Sequence, residues 1–255
     1  MQIRKFSELT LTHASATIKA EAKQTYIGYI WLLLDPLMFI AVYYVVFGLI
    51  LGNKAPDFIV FLLIGILSFQ WFQSSISQGA ASIFNAGGLI KQIKLNKLIF
   101  PASKIIHNFW QFSFVFLVYC VLIYSLSDIK MTIHLISVPF IIFTQLAIIT
   151  GITTILAAYY PFFPDIKHVI QPILRAVLFI SGVFFPVDKV PEDLKFYFFL
   201  NPMANLIEAY RNAMLSNQWP DFIGLSKLLF IAILLILVGQ YLIKRNDSIF
   251  AKVIP

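Results

Sequence analysis

The chain has 255 residues, 60% of them hydrophobic and 12% charged, with 19 Lys and Arg against 12 Asp and Glu for a formal net charge of +7. A water-soluble domain carries roughly 45–50% apolar and about 25% charged residues, so this balance excludes a soluble enzyme and assigns the excess of bases to membrane surfaces and not to nucleic acid. The one cysteine, Cys120, lies inside an apolar stretch, which excludes a disulfide framework and a cysteine-based metal site.

Residues 1–24 contain Arg4, Lys5, Lys19 and Lys23 but no apolar core of a signal peptide, and the whole of 1–255 reads as a single membrane domain. Within this stretch, Ser7 suits a helix cap and Glu8 its first turn. Lys19 and Lys23 fall one turn apart, so 6–24 reads either as a helix lying in the membrane interface or as a basic tail.

Six apolar stretches follow, at about 27–51, 58–80, 105–126, 133–160, 169–187 and 222–243. A helix of about 20 apolar residues crosses the ~30 Å hydrocarbon layer, so the sequence predicts an all-α integral membrane protein with six transmembrane helices. With both termini in the cytoplasm, thirteen of the nineteen Lys and Arg fall inside and six outside, the bias of the positive-inside rule.

The first span opens on Tyr26, Gly28, Tyr29 and Trp31, rings suited to the headgroup zone, and reaches Asp35 and Pro36 one to two turns later. A lone carboxylate at that depth costs about 2.5–3.5 kcal/mol on insertion scales unless water or a partner reaches it. Asp35 therefore either marks a polar site near the inner mouth of a bent span or stays in the interface. Pro36 frees a carbonyl one turn back and kinks the helix.

The second span turns polar after Trp71, with Gln73, Ser74, Ser75, Ser77, Gln78, Gly79 and Ser82. Small and hydroxyl-bearing residues let helices approach and bond, so this half faces other helices. Gly87 and Gly88 then break the helix. Lys91, Lys94 and Lys97 recur every three residues among Leu89, Ile90 and Ile93, predicting a short amphipathic cytoplasmic helix over 89–97, closed by Pro101. It suits anionic lipid, at about 1 kcal/mol per basic residue, or a cytosolic partner.

The fifth span carries Gln171, Pro172 and Arg175 and fades at Pro186. The stretch 194–215 is too apolar for a loop in water and too broken, at Asn201 and Pro202, to span. A re-entrant helical hairpin over 188–216 fits both facts, because irregular backbone survives at membrane depth only when buried in protein or lining a cavity. Glu208 and Arg211 lie three residues apart in its second arm.

No Gly-x-x-x-x-Gly-Lys-Ser/Thr phosphate loop occurs. His13, His107, His134 and His168 show no metal-ligand spacing, and no paired carboxylates share a span. Catalytic and metal residues are therefore expected to be none. A membrane transferase acting on lipid-linked sugars would need a dense cluster of His, Asp or Arg at one face. A secondary transporter would show repeats or charges at the midplane.

Three blocks together resemble the permease subunits of bacterial ABC exporters for polysaccharides (O-antigen, capsule or teichoic acid), the ABC type-2 permease family. They are Tyr26–Leu37 with its Gly28, Trp31, Leu34 and Pro36; Phe100-Pro101; and Ser181–Pro186 through Pro191, Leu200-Asn201-Pro202 and Glu208–Asn212. The chain differs from the family pattern at Ser181-Gly182, at Pro164-Asp165 and in its sparse bases before the first span.

The resemblance implies a homodimeric, multi-pass channel in the bacterial inner membrane, bound to two copies of a cytosolic ABC ATPase that holds ATP and Mg. No cofactor is expected on this chain. The cargo implied is a lipid-linked polysaccharide, O-antigen first, with a smaller lipid or drug-like molecule as the alternative. Leu89, Lys91, Ile93, Lys94 and Lys97 would then couple to the ATPase. Pro191, Asn201, Pro202, Glu208 and Arg211 would form the external gate. Phe39, Tyr43, Phe47, Phe179, Phe184 and Phe185 would line the substrate path, their ring faces packing on sugar rings. For the topology, a cysteine placed at position 54 in a Cys120→Ser background should react with an impermeant maleimide from outside intact cells; labelling from the cytoplasm only would overturn the orientation.

Overall fold

The computed structural model describes residue 10, residues 30–50, 57–92, 95–126, residue 129 and residues 131–254, the burial of residues 47, 48 and 126 excepted. Every regular element among the described residues is helical. The segment 6–24, apart from Thr10, lies outside them.

Helix α1 (Ile30–Tyr43) carries Pro36 inside it and runs on as a π-helical stretch, Tyr44–Ile50. The carbonyl of Leu33, beside the proline break, accepts a hydrogen bond of 2.7 Å from the Tyr119 hydroxyl. Helix α2 (Phe58–Ala80) covers the expected second span and is buried along most of its length, including its polar half. Two short helices follow, α3 (Ser82–Asn85) and α4 (Gly87–Gln92).

Helix α5 (Ile99–Leu126) starts six residues before the expected third span and takes Pro101 into its first turn. Proline is tolerated there because its missing N–H would have had no partner anyway. Proline thus opens this helix and does not close the one before it. A 3-10 turn (Ile133–Ser137) leads into α6 (Val138–Tyr159). After α7 (Ile166–Ile180), a 3-10 turn (Val187–Lys189) leads to α8 (Glu192–Phe199) and α9 (Pro202–Met214). The last two are α10 (Phe222–Arg245) and α11 (Asp247–Val253). Asp221 caps α10, accepting from the amides of Ile223 and Gly224 at 3.0 Å each.

By length and apolarity, four helices among the described residues can cross a membrane: α2, α5, α6 with its leading turn, and α10. The expected fifth span, 169–187, is the clearest departure. Helix α7 begins three residues earlier and stops at Ile180, so its 15 residues reach only about 22 Å. The chain breaks at Gly182, whose φ of +70° is a left-handed conformation that glycine adopts without penalty.

Contacts at two levels give the helix directions. Ser68 meets Gln145 and Gly79 meets Thr153, so α2 and α6 run parallel. Gly151 lies against Ala232 and Leu235, and Gly239 against Thr154, so α6 and α10 also run parallel. Ser77 pairs with Gln171 while Gly65 meets Val183, so α7 runs antiparallel to α2. Trp71 stacks on Phe112, and Tyr124 ends near Met214 as Phe61 ends near Arg211, so α5 opposes α2 as well. One end of the bundle holds the α8–α9 hairpin; the other holds α3, α4, Lys97 and α11.

The main core runs through α2, α5, α6, α9 and α10. A second, smaller core closes the lysine end: Ile83, Ile90, Phe100, Ala157, Ile243 and a fully buried Phe250. Helix α11, not anticipated from the sequence, supplies Phe250.

Helices α6 and α10 approach closely: a Cβ at Gly151 would sit 2.6 Å from the Leu235 Cβ and 3.2 Å from the Ala232 carbonyl oxygen. Gly151→Val should therefore destabilise the protein by about 1–3 kcal/mol. A lowered thermal midpoint of the detergent-solubilised protein would register it.

Candidate functional site

An interrupted helix inside a packed bundle leaves carbonyls with no intrahelical donor, and each must be met by protein. The α8–α9 hairpin meets the Ile180 carbonyl at the end of α7, through Asn201 Nδ2 at 3.4 Å, and the carbonyls of the two residues that follow Ser181. Arg211, on α9 and 3% exposed, donates from Nη1 to the Gly182 carbonyl at 2.6 Å. Its Nη2 donates to the Val183 carbonyl at 2.9 Å and to the Phe61 carbonyl of α2 at 3.2 Å. The guanidinium carbon lies 3.3 Å from the centre of the Phe61 ring. Gly65 makes this approach possible, since a Cβ there would come within 2.9 Å of Nη2.

Asn201, at the hairpin turn, does related work. Its side-chain oxygen caps α9 by accepting from the Met203 amide at 3.0 Å, and its Nδ2 donates to the Ser181 hydroxyl at 2.8 Å. Asn205 donates to the Phe199 and Asn201 carbonyls and closes the turn from inside. The turn between the hairpin arms is thus tied to the end of α7.

A second polar line fastens α9 to the core. The Tyr210 hydroxyl donates to Gln145 Oε1 at 2.9 Å, and Gln145 Nε2 donates to the Ser68 carbonyl at 2.8 Å. Tyr210 and Gln145 are both fully buried. Residues 210 and 211 together bind the hairpin to α2, α6 and the end of α7.

Of the expected gate residues, the structure brings Asn201 and Arg211 to this junction. Pro202 occupies the first turn of α9, while Pro191 stands exposed at the start of α8. Among the described residues, the hydrogen bonds of Arg211 go to carbonyls and none to Glu208. Burial pushes the Glu208 carboxyl above its ordinary range, Arg211 draws it back, and Asp188 pushes it further. Burial also pushes the Arg211 guanidinium down, to about 9, against the pull of Glu208, which leaves it cationic at neutral pH.

Four of the expected path aromatics lie together. Phe39 stacks near Tyr43 at 6.3 Å, Tyr43 meets Phe184 at 4.3 Å, and Phe184 meets Phe179 at 5.3 Å. The row joins α1 to the broken end of α7. Phe39 and Phe179 keep about half their surface exposed, while Phe184 is buried. Phe185 turns away and packs on Phe198 of α8, 6.1 Å off. The side chain of Phe47 lies outside the described residues.

At the opposite end, the helix expected over 89–97 is observed over Gly87–Gln92. Leu89 is half-buried and Lys91 exposed; Ile93 and Lys94 lie outside the described residues. Lys97 is 6% exposed and forms an ion pair of 3.0 Å with Asp247 of α11. Sequence periodicity placed Lys97 with its neighbours on an outward face. Lys97, described five residues past Gln92, turns inward instead.

Sequence reasoning missed Gln145, Tyr210 and Ser68 entirely, along with the Lys97–Asp247 pair. A glutamine in the middle of an apolar span was the one available signal for the first. Asp35, singled out for its depth, accepts a hydrogen bond of 3.3 Å from Gln70 of α2. No group of His, Cys, Asp or Glu among the described residues is arranged to hold a metal ion.

The sequence profile described as "ABC-2 type transporter" matches residues 11–215. The chain is 23% identical over 253 residues to the O-antigen export system permease protein RfbA of Myxococcus xanthus, covering 98% of this chain and 97% of that one. It is 23% identical to the protein of the same name from Klebsiella pneumoniae, covering 97% of this chain and 95% of that one. Similarity extends to the polysialic acid transport protein KpsM of Escherichia coli, at 21% identity over 87% of each chain.

Removing the guanidinium would strand buried carbonyls, at about 1–3 kcal/mol for each group left without a donor. Arg211→Met should lower the thermal midpoint and expose 181–201 to limited proteolysis, with Arg211→Lys intermediate. Unchanged cleavage in Arg211→Met would show that the hairpin does not depend on this contact.

Proposed function

The chain belongs to the ABC-2 type transporter family, and on that premise we propose that it is the channel-forming permease of an ATP-driven exporter for a lipid-linked polysaccharide, O-antigen first among them. The observation that carries this reading is the aromatic row Phe39–Tyr43–Phe184–Phe179, which runs from α1 to the break in α7 beside the hairpin. Ring faces of this kind hold the apolar faces of sugars without binding any one of them tightly, as a moving polymer requires. The names of its relatives in O-antigen and polysialic acid transport support the same cargo class.

Asp35 meets Gln70 while Tyr43 meets Phe184, next to the Val183 that lies against Gly65, so α1 opposes α2. The alternating directions of α1, α2, α5, α6, α7 and α10 support six passes, with α1 and its π extension as the first and α7 as an incomplete fifth. An even number of passes puts both chain ends on the lysine side, the cytoplasm of the bacterial inner membrane on the positive-inside rule. The α8–α9 hairpin then lies at the outer leaflet as a re-entrant gate, and the whole chain forms one membrane domain. Two copies would enclose the path, since α1 and its π extension leave Leu37, Met38, Phe39, Val42 and Leu49 uncovered within one protomer.

Energy comes from elsewhere. The sequence has no phosphate-binding loop, so ATP and Mg belong to a separate ATPase, two copies per dimer, and this subunit is not an enzyme. Its docking element is α4 and the turn after it, with Leu89, Lys91, Ile93 and Lys94 as contacts. Lys97 holds that turn against α11 through Asp247 and positions the others.

Reconstitution of the permease with and without the ATPase tests the reading: ATP-dependent polymer transport should require both proteins, and the permease alone driving proton-coupled uptake in liposomes would reject it. Double charge reversal, Lys91→Glu with Lys94→Glu, should leave ATP hydrolysis running while export falls at least tenfold. Full export in that variant would remove the docking role from α4.

A further inference from the structure

A cavity of about 710 Å³ opens between the α8–α9 hairpin and the first turns of α10, within the size range of small-molecule sites, roughly 300–1,000 Å³. Its hairpin wall is one face of α9. Asn205, Glu208 and Asn212 recur there every three to four residues and are half-buried, while residues 206, 207 and 209–211 are buried. The polar atoms of that face therefore reach open space through the cavity. Among the described residues, neither the Glu208 carboxylate nor the Asn212 side-chain amide has a hydrogen bond or ion pair, and neither is sealed from solvent. Asn205 and Asp221 each use one side-chain atom in holding a turn or a cap, and keep an oxygen free of donors. A Cβ on Gly224, also in the wall, would lie 2.6 Å from Asp221 Oδ2 and 3.8 Å from Asn205 Oδ1, so these two oxygens converge.

The charges of the cavity narrow what can enter. Lys227 of α10 lines it as well, with no ion pair among the described residues, so it and Glu208 border one space without meeting. Lys195, the other cation of the wall, is already held by Glu192 at 2.6 Å. Opposite charges kept apart across a cavity complement a zwitterion laid the other way round, its cation on the oxygens and its anion on the lysine. A primary ammonium brings three N–H donors to oxygens that lack them, whereas a quaternary one brings none. A headgroup with a phosphate alone would set its charge against Glu208. At Lys227 and Ile231 the cavity passes into a shallow groove along α10, where Phe230 is 64% exposed. Such an apolar track along a span suits an acyl chain and offers nothing to a water-soluble ion.

We propose that this cavity holds the headgroup of a phospholipid bearing a primary ammonium, with the ammonium on Glu208 and Asp221, the phosphate on Lys227 and an acyl chain in the groove. The inference takes from the export reading only the placing of the hairpin at the outer leaflet, and nothing from the cargo. A lipid so seated bridges α9 and α10, so the amine-lipid content of that leaflet bears on how firmly the hairpin is held.

The test counts lipid bound per protomer by native mass spectrometry of the delipidated, detergent-solubilised full chain. The titrants are phosphatidylethanolamine, phosphatidylcholine and phosphatidylglycerol with matched acyl chains. Phosphatidylethanolamine should bind at least tenfold more tightly than either of the others. O-phosphoethanolamine, which has no acyl chain, should not displace it at equal concentration; displacement would assign the cavity to a soluble amine and overturn the lipid. Glu208→Gln should abolish the preference, and Lys227→Met should weaken all three lipids alike. Asn212→Leu, which gives the same face of α9 an apolar side chain, should weaken phosphatidylethanolamine alone and serves where Glu208→Gln yields no folded protein. Equal binding of the three lipids, or an undiminished preference in Glu208→Gln, would overturn the assignment. Calcium binding that Glu208→Gln abolishes, with no lipid preference, would give the cavity to a divalent cation and overturn it too. Binding is read in detergent, so its loss leaves the export reading untouched, whereas failure of polymer export with the lipid preference intact leaves this site standing.

Discussion

The chain just past a helix that stops inside a bundle must have its carbonyls met by other protein groups, and here a single guanidinium meets two of them. Arg211 fixes the Gly182 and Val183 carbonyls and reaches the Phe61 carbonyl of α2. In a medium without water such groups cannot be left open, so the break in α7 and the α8–α9 hairpin require one another. Charge-assisted bonds to backbone are among the stronger single contacts a fold can use, and the planar guanidinium presents several donors at once. The position of the hairpin, the left-handed turn at Gly182 and the absence of a side chain at Gly65 all follow from placing that cation.

The same junction relates the two ends of the molecule. Helix α2 carries the Phe61 and Ser68 carbonyls that receive Arg211 and Gln145, and it ends on Ala80, one residue before α3. A tilt of α2 imposed at the lysine end would move the acceptors on which the hairpin rests. On the reading of an exporter driven by a separate ATPase, that is a direct mechanical route from α4 to the gate. It needs no change of rotamer in the core. The second core, with Phe250 of α11 beneath α4 and Lys97 paired to Asp247, keeps the lysine end from moving independently of α2.

Much of this was legible in the chain. The bounds of α2 and the start of α10 match the apolar runs, because the cost of burying peptide groups in hydrocarbon forces continuous helices there. Asn201-Pro202 announced a turn, since proline fixes its own φ and restricts the residue before it. The aromatics of the first and fifth spans were picked out as a set and four of them do meet. The bounds of α7 were misread because apolarity continues past Ile180 through Val183, Phe184 and Phe185. Hydropathy registers what lies in hydrocarbon, not what is helical.

Composition and order determined a helical membrane protein, the basic element at one end and the broken segment at the other, since transfer free energies and proline sterics act locally. Partnership was decided only in three dimensions. Whether Lys97 faces a lipid or Asp247 and whether Arg211 pairs with Glu208 or with carbonyls depend on groups up to 150 residues away along the chain. Periodicity says which face of a helix a polar residue occupies; the packing of helices says what that face meets.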